Sequence, residues 1–229
     1  MVKNVVLAIG IIVFVLVSVQ VLRLLQLRTS VANYAKYWRQ YPDQGTFTYV
    51  ALGDSATQGI GASRPELGYV GLLAQHLQQT TGKTVRIVNL SVSGAKITDV
   101  LEKQVPQLVK YKPDLITVAV GTNDVTSYDA AKFQSQYDKL AAVLPPGSVV
   151  ANIPYFGGLI RANDKAIEAS EYISEAAHKY NLPLVDLQAE TRAKQSIFNY
   201  AADGFHPSNR AYKIWEAAFW KTIEPLVSS

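Results

Sequence analysis

Five short, nearly continuous apolar runs punctuate the chain, and the stretches between them carry apolar residues at helical spacing. The runs cover residues 46–52, 84–90, 115–120, 148–153 and 183–187. A strand that is apolar on both sides, without alternation, is one covered on both faces. Residues 69–79, 97–109, 130–143, 164–179 and 209–223 repeat apolar positions with the period of an amphipathic helix. Alternation of this kind predicts an α/β fold of three layers, with a parallel, flavodoxin-like sheet of about five strands between helices. Such sheets gather their functional residues at the carboxyl ends of the strands. Gly53-Asp54-Ser55, Ser93-Gly94 and Gly121-Thr122-Asn123-Asp124 follow the first three runs directly, so three distant segments are expected at one edge.

A different pattern precedes this domain. Residues 4–22 contain no charged side chain. At ~1.5 Å per residue they would span about 28 Å as a helix, close to the hydrocarbon thickness of a bilayer. A core helix in a domain this small would show a polar stripe. A cleaved signal peptide has a shorter apolar region that ends in small residues. Here Arg23 and Arg28 follow the apolar run, and the nearest small-x-small site, Ser30-Val31-Ala32, lies beyond them. Residues 1–27 are therefore expected to be an uncleaved transmembrane helix, with a signal peptide as the alternative.

Residues 28–45 read as a juxtamembrane amphipathic segment. Tyr34, Tyr37, Trp38 and Tyr41 fall on one helical face, suited either to the membrane–water interface or to packing on the domain. Pro42-Asp43-Gln44-Gly45 ends the segment, which leaves residues 46–229 as the main domain.

Charge and composition exclude several classes. The formal net charge of +4 is scattered, with no Lys/Arg run to follow a nucleic acid. Cysteine is absent, which removes disulfide and thiolate chemistry. The three histidines are too widely separated for a metal motif. Gly82-Lys83-Thr84 has Leu77 where a P-loop needs its first glycine, and Gly59-Ile60-Gly61 lacks the third glycine of a dinucleotide fingerprint.

What remains is the kit of a nucleophilic hydrolase. A serine needs a base within hydrogen-bond reach, and that base needs a group to orient it. Asp203-Gly204-Phe205-His206-Pro207 offers both, and only His206 among the histidines has both an acid at close spacing and a following proline, Pro207, that fixes the loop; His76 and His178 sit inside helical stretches. Gly94 can offer a backbone N–H, and Asn123 a side-chain amide, to a developing oxyanion. Each residue also has a structural use. Ser55 can cap a helix, Gly94 can supply positive φ, Asn123 can close a turn, and Asp54 suits a turn better than catalysis.

Taken in order, the blocks Gly53-Asp54-Ser55, Gly94, Gly121-Thr122-Asn123-Asp124 and Asp203-Gly204-Phe205-His206-Pro207 resemble the SGNH (GDSL) hydrolase superfamily, from Thr46 to the C-terminus. The Gly-x-Ser-x-Gly elbow of α/β-hydrolases is absent. The resemblance implies Ser55 as nucleophile, His206 as base and Asp203 as its orienter. It implies an oxyanion hole from the Ser55 N–H, the Gly94 N–H and the Asn123 side chain.

The function implied is a membrane-anchored serine esterase that needs no cofactor, acting on a small-molecule or lipid ester. An acyl lipid, a lysophospholipid and an O-acetylated glycan all fit. The alternatives are an acyltransferase using the same residues and a catalytically inactive binding module. An anchor on a secretory-type hydrolase resembles exported bacterial enzymes, so the domain is expected on the extracytoplasmic side. Secretion after cleavage and a cytoplasm-facing domain are the other options, since Arg23, Arg28, Lys36 and Arg39 outnumber Lys3 across the apolar run. In the segment after the fourth run, Tyr155, Phe156, Leu159 and Ile160 are apolar and are expected either to border the substrate pocket or to cover the core.

Overall fold

The computed structural model describes residues 2–157 and 163–228. Five parallel strands form one sheet in the order β2-β1-β3-β4-β5: β1 (Phe47–Gly53), β2 (Val85–Asn89), β3 (Leu115–Ala119), β4 (Val149–Ala151) and β5 (Leu184–Val185). This is the flavodoxin-like order, and each strand lies within one of the apolar runs or ends one residue past it. In chain order the helices are α1 (Val2–Arg39), α2 (Ser55–Gln58), α3 (Tyr69–Thr81), α4 (Ile97–Asp99), α5 (Thr122–Val125), α6 (Ala130–Val143), α7 (Asn163–Lys179), α8 (Leu187–Ala193) and α9 (Asn209–Val227).

The last two strands are shorter than their apolar runs. Pro183 has no N–H to give the ladder, and the Asp186 side chain caps α8 by accepting from the Ala189 N–H at 3.0 Å. Asn152, just past β4, keeps a backbone bond to the Val185 C=O at 3.2 Å, while its side chain donates to the same carboxylate at 2.8 Å and accepts from the Gln188 N–H at 2.8 Å, tying the strand end to the α8 loop.

The period of two in β1 sorts the core into two halves. Tyr49 and Ala51 face a cluster built by α3, α9 and the end of α1, including Leu73, Leu77, Trp215 and Phe219. Val50 and Leu52 face the cluster of α6, α7 and the 97–110 segment, including Phe133, Leu140 and Ile173. Both faces of the sheet are thus covered, which is why the strands lack polar alternation.

The 97–109 stretch departs from the single helix its periodicity predicts. After α4 the backbone widens into a π turn over Val100–Gln104 and then tightens into a 3₁₀ segment over Val105–Lys110. Two features account for this. Pro106 has no N–H to continue an α ladder. Gln104, 1% exposed, turns inward and clasps the backbone of Gly53, accepting from its N–H at 2.9 Å and donating to its C=O at 2.8 Å.

At the other end of the chain, the apolar run and the aromatic stripe lie on one continuous helix, α1. Its apolar part is long enough to cross a membrane, and its described large apolar side chains are exposed; Phe14 is 72% exposed. The aromatic part docks on the domain. Tyr34 and Trp38 are buried, the Tyr34 hydroxyl donates to the Ala62 C=O at 2.8 Å, and the Trp38 Nε1–H donates to the Gln58 C=O at 2.9 Å. Of the two uses open to the stripe, packing on the domain is the one realised.

Candidate active site

β1 delivers the chain to the carboxyl edge through Gly53, whose φ is +154°. A Cβ there would lie 2.3 Å from the Ala119 carbonyl oxygen and 2.2 Å from Thr57 Oγ1, so only glycine lets β1, β3 and α2 approach so closely. Asp54 then caps α2, its Oδ1 accepting from the Ala56 N–H at 3.0 Å. Ser55 is the first residue of that single turn and is 8% exposed.

The partner comes from the loop before α9. Tyr200 and Pro207 bridge antiparallel, and the Ala201 N–H donates to the His206 C=O at 2.8 Å. Inside this closure Asp203 Oδ1 accepts from the N–H groups of Phe205 at 3.0 Å and His206 at 3.1 Å. Its Oδ2 lies 2.6 Å from His206 Nδ1, and His206 Nε2 lies 3.0 Å from Ser55 Oγ. An ionised carboxylate can only accept, so Nδ1 carries the proton and Nε2 presents its lone pair to the serine hydroxyl. Burial pushes the Asp203 carboxyl up, but the imidazole hydrogen bond and the two backbone N–H groups outweigh it and hold the group at about 2. It is ionised at neutral pH.

Gly94 and Asn123 sit near this chain of contacts without joining it. Gly94 has φ +81°, and its N–H donates to no acceptor among the described residues. The Asn123 amide gives one N–H to the Ala95 C=O at 2.9 Å and the other to Asp54 Oδ2 at 3.3 Å. Asp54 is fully enclosed, and burial raises its carboxyl to about 6 against the pull of the Ala56 N–H and of His206. Among the described residues no group of three His, Cys, Asp or Glu side chains gathers as a metal site would.

An apolar cavity opens beside Ser55 and His206. Its walls include Tyr155, Phe156, Tyr200, Phe205 and Trp215. Phe156 stacks on Phe205 at 5.9 Å between centroids and 10° between planes. Tyr155 and Phe156 thus line the cavity beside the catalytic-edge loop; Leu159 and Ile160, expected beside them, fall outside the described residues.

Sequence reasoning passes over several residues that build this edge. Gln104 clamps Gly53. Gln58 holds the loop before Gly94, donating to the Ser91 C=O at 3.0 Å and accepting from the Ser93 N–H at 3.1 Å. Tyr200 and Trp215 supply cavity walls. Only Gln104 carried a signal, as a lone polar residue on the apolar face of its stretch. Trp215 shares its helix face with Tyr212 and Phe219, and there it is indistinguishable from core.

With this geometry in place, similarity to known proteins adds weight. A model of the GDSL-like Lipase/Acylhydrolase family matches residues 51–214, from β1 into α9. The acetylxylan esterase of Geobacillus stearothermophilus is 27% identical over 202 residues, covering 75% of this chain and 91% of its own. Esterase TesA of Pseudomonas aeruginosa is 27% identical over 184 residues, covering 79% of this chain and 89% of its own. The crystal structure of a lipase/acylhydrolase from Enterococcus faecalis superposes with a TM-score of 0.67 at 22% identity, covering 79% of this chain and 96% of that one.

Proposed function

We propose that this chain, which belongs to the GDSL-like lipase/acylhydrolase family of carboxylic ester hydrolases, is a membrane-anchored esterase that works through an acyl-enzyme on Ser55. The observation that carries this reading is the unbroken contact from Asp203 through His206 to Ser55, 2.6 Å and 3.0 Å long. Ser55 Oγ attacks the ester carbonyl as His206 Nε2 takes its proton. Asp203 holds the imidazole and balances the charge that forms on it. The proton then passes from Nε2 to the leaving alkoxide, and the C–O bond breaks. Water, deprotonated by His206, cleaves the acyl-enzyme and frees the acid and Ser55.

The carbonyl oxygen becomes an oxyanion in both steps. The Ser55 and Gly94 N–H groups and the Asn123 amide are the donors assigned to it. The longer of the two Asn123 bonds, 3.3 Å to Asp54, is the weaker and the one an oxyanion would displace.

α1 serves as the anchor. Its apolar part is unburied, and its continuation through Tyr34 and Trp38 is part of the domain's own core, as a retained helix requires. The Ser30-Val31-Ala32 site lies mid-helix, with Ser30 buried. The aromatic walls of the cavity suit an apolar acyl group, as a lipid ester carries. The similarity to an acetylxylan esterase favours a second reading, an O-acetylated glycan. Turnover of p-nitrophenyl esters of rising chain length, set beside acetylated xylo-oligosaccharides, separates the two. Labelling by a fluorophosphonate probe, lost in Ser55→Ala, tests the mechanism itself; no label on the wild-type serine would rule it out.

A further inference from the structure

The last turn of the uncharged run is bonded to the catalytic loop. Gln20 lies two residues before Leu22, the end of the 4–22 stretch, and its side-chain amide donates to the Ala202 C=O at 2.7 Å. Ala202 immediately precedes Asp203. An amide within or at the edge of hydrocarbon needs a protein partner, and this one finds it in the loop that carries Asp203 and His206. That loop is therefore level with the final turn of the apolar helix.

Two further features adjoin that loop. Ile197 and Phe198 are 73% and 70% exposed, the one adjacent pair of exposed large apolar side chains in the domain among the described residues. They are held out rather than left loose. The Phe198 N–H donates to Ser196 Oγ at 3.3 Å, its C=O accepts from Ser208 Oγ at 2.7 Å, and Asn199 donates to the Lys194 C=O at 2.9 Å. A cleft between α1 and this loop is lined by Arg23, Gln26, Ser63 and Arg210 and by no acidic side chain. Neither arginine forms an ion pair with a described carboxylate. Tyr200 lines both this cleft and the cavity beside Ser55.

We propose that the catalytic edge is itself a membrane-docking face. Ile197 and Phe198 enter the interfacial layer, Arg23 and Arg210 meet lipid phosphates, and the ester substrate reaches Ser55 from the bilayer rather than from water. The occupant is a phospholipid surface because the patch continues the apolar band of α1, and the only charges lining its cleft are positive. This extends the reading of α1 as an anchor and rests on it.

The absence of cysteine allows single-site labelling of the full chain. Phe198→Cys carrying a bimane dye is reconstituted in phosphatidylcholine/phosphatidylglycerol vesicles, with Val109→Cys, exposed on the 3₁₀ segment, as reference. Lipids with a shallow doxyl group should quench the dye at 198 and leave it at 109, whereas aqueous iodide should do the reverse. Iodide quenching both sites alike overturns the proposal.

In a second arm, Ile197→Ser/Phe198→Ser in the full chain should lower kcat/KM for a vesicle-borne ester about tenfold relative to p-nitrophenyl acetate, the loss expected when apolar interfacial contact is removed. An unchanged ratio also overturns it. Wild-type protein that hydrolyses no ester refutes the esterase reading and leaves the quenching result standing. Protein that fails to float with vesicles refutes the anchor and this proposal together.

Discussion

At the scale of single residues, His206 has one nitrogen committed to Asp203 and the other to Ser55, the division that the proposed mechanism needs if the serine is to act as nucleophile. Ser55→Ala should abolish ester turnover while leaving the melting temperature within a degree or two, since one small hydroxyl contributes little packing. Residual activity near wild type would exclude Ser55 as the nucleophile. Asn123→Ala should lower kcat by ~10²–10³ with KM little changed, as for a donor whose bond strengthens only in the transition state. A pure KM effect would instead make Asn123 a substrate-binding group.

Asp54 yields a pH prediction. Burial raises its carboxyl from the ordinary aspartate range to about 6, so its protonated form is the one the fold favours. That contribution is fully present below about pH 4 and is lost as pH rises through 6. Asp54→Asn loses the Asn123 contact at every pH but does not titrate. The stability of the variant relative to wild type should therefore improve between pH 4 and 7, and a difference that stays flat across that range would show that Asp54 does not titrate there. The meeting of Ser55, Asp203 and His206 was legible, because a strand-end serine and an Asp-x-x-His pair imply one edge. The bond from Asn123 to Asp54 was not, because it depends on the depth to which Asp54 is buried.

At the scale of elements, periodicity located the strands and the long helices, and it failed where one side chain outweighed the pattern. Residues 130–143 read as a helix and form α6 over the same span. Residues 97–109 read as a helix and instead form three different turns, because Gln104 must reach Gly53 and Pro106 cannot donate. That clasp is the element-level device that fixes where β1 ends and Ser55 begins. Gln104→Ala would leave the buried Gly53 N–H without its partner, at about 1–3 kcal/mol, and the Gly53 C=O with only the Val92 N–H at 3.2 Å. For a domain of this size the melting temperature should fall by at least ~2 °C. Ester turnover should fall with it even well below the melting point, since Ser55 loses its register against His206. A stable variant with wild-type kcat would mean that β1 alone positions the serine. The joining of the apolar run to the aromatic stripe was beyond sequence reasoning for a similar reason. No breaker lies between residues 27 and 34, but neither does any signal show which surface the stripe meets.

At the scale of the whole molecule, α1 has two roles that divide along its length. The apolar side chains described in its first half are exposed, whereas Trp38 completes the core on the α3/α9 side of the sheet, Tyr34 is buried beside it, and the two bond to the carbonyls of Gln58 and Ala62, which flank the turn that follows Ser55. Two truncations should therefore behave differently. A chain lacking residues 1–18 retains Gln20, Tyr34 and Trp38. It should keep p-nitrophenyl acetate turnover close to that of the full chain, and it should no longer partition with membranes. A chain lacking residues 1–41 exposes the face that Trp38 covers. Losing a buried tryptophan alone costs about 3–5 kcal/mol, a large part of the ~5–15 kcal/mol that holds a domain folded. The Gln58 carbonyl also loses its donor. Since Gln58 bonds the loop that presents Gly94, the damage should spread to the oxyanion side of the site, so kcat should drop before the protein melts. Expressing both forms in detergent and comparing circular-dichroism melts with kcat decides the matter. Equal stability and equal turnover would mean that α1 is only a tether and that its aromatic stripe is incidental to the catalytic domain.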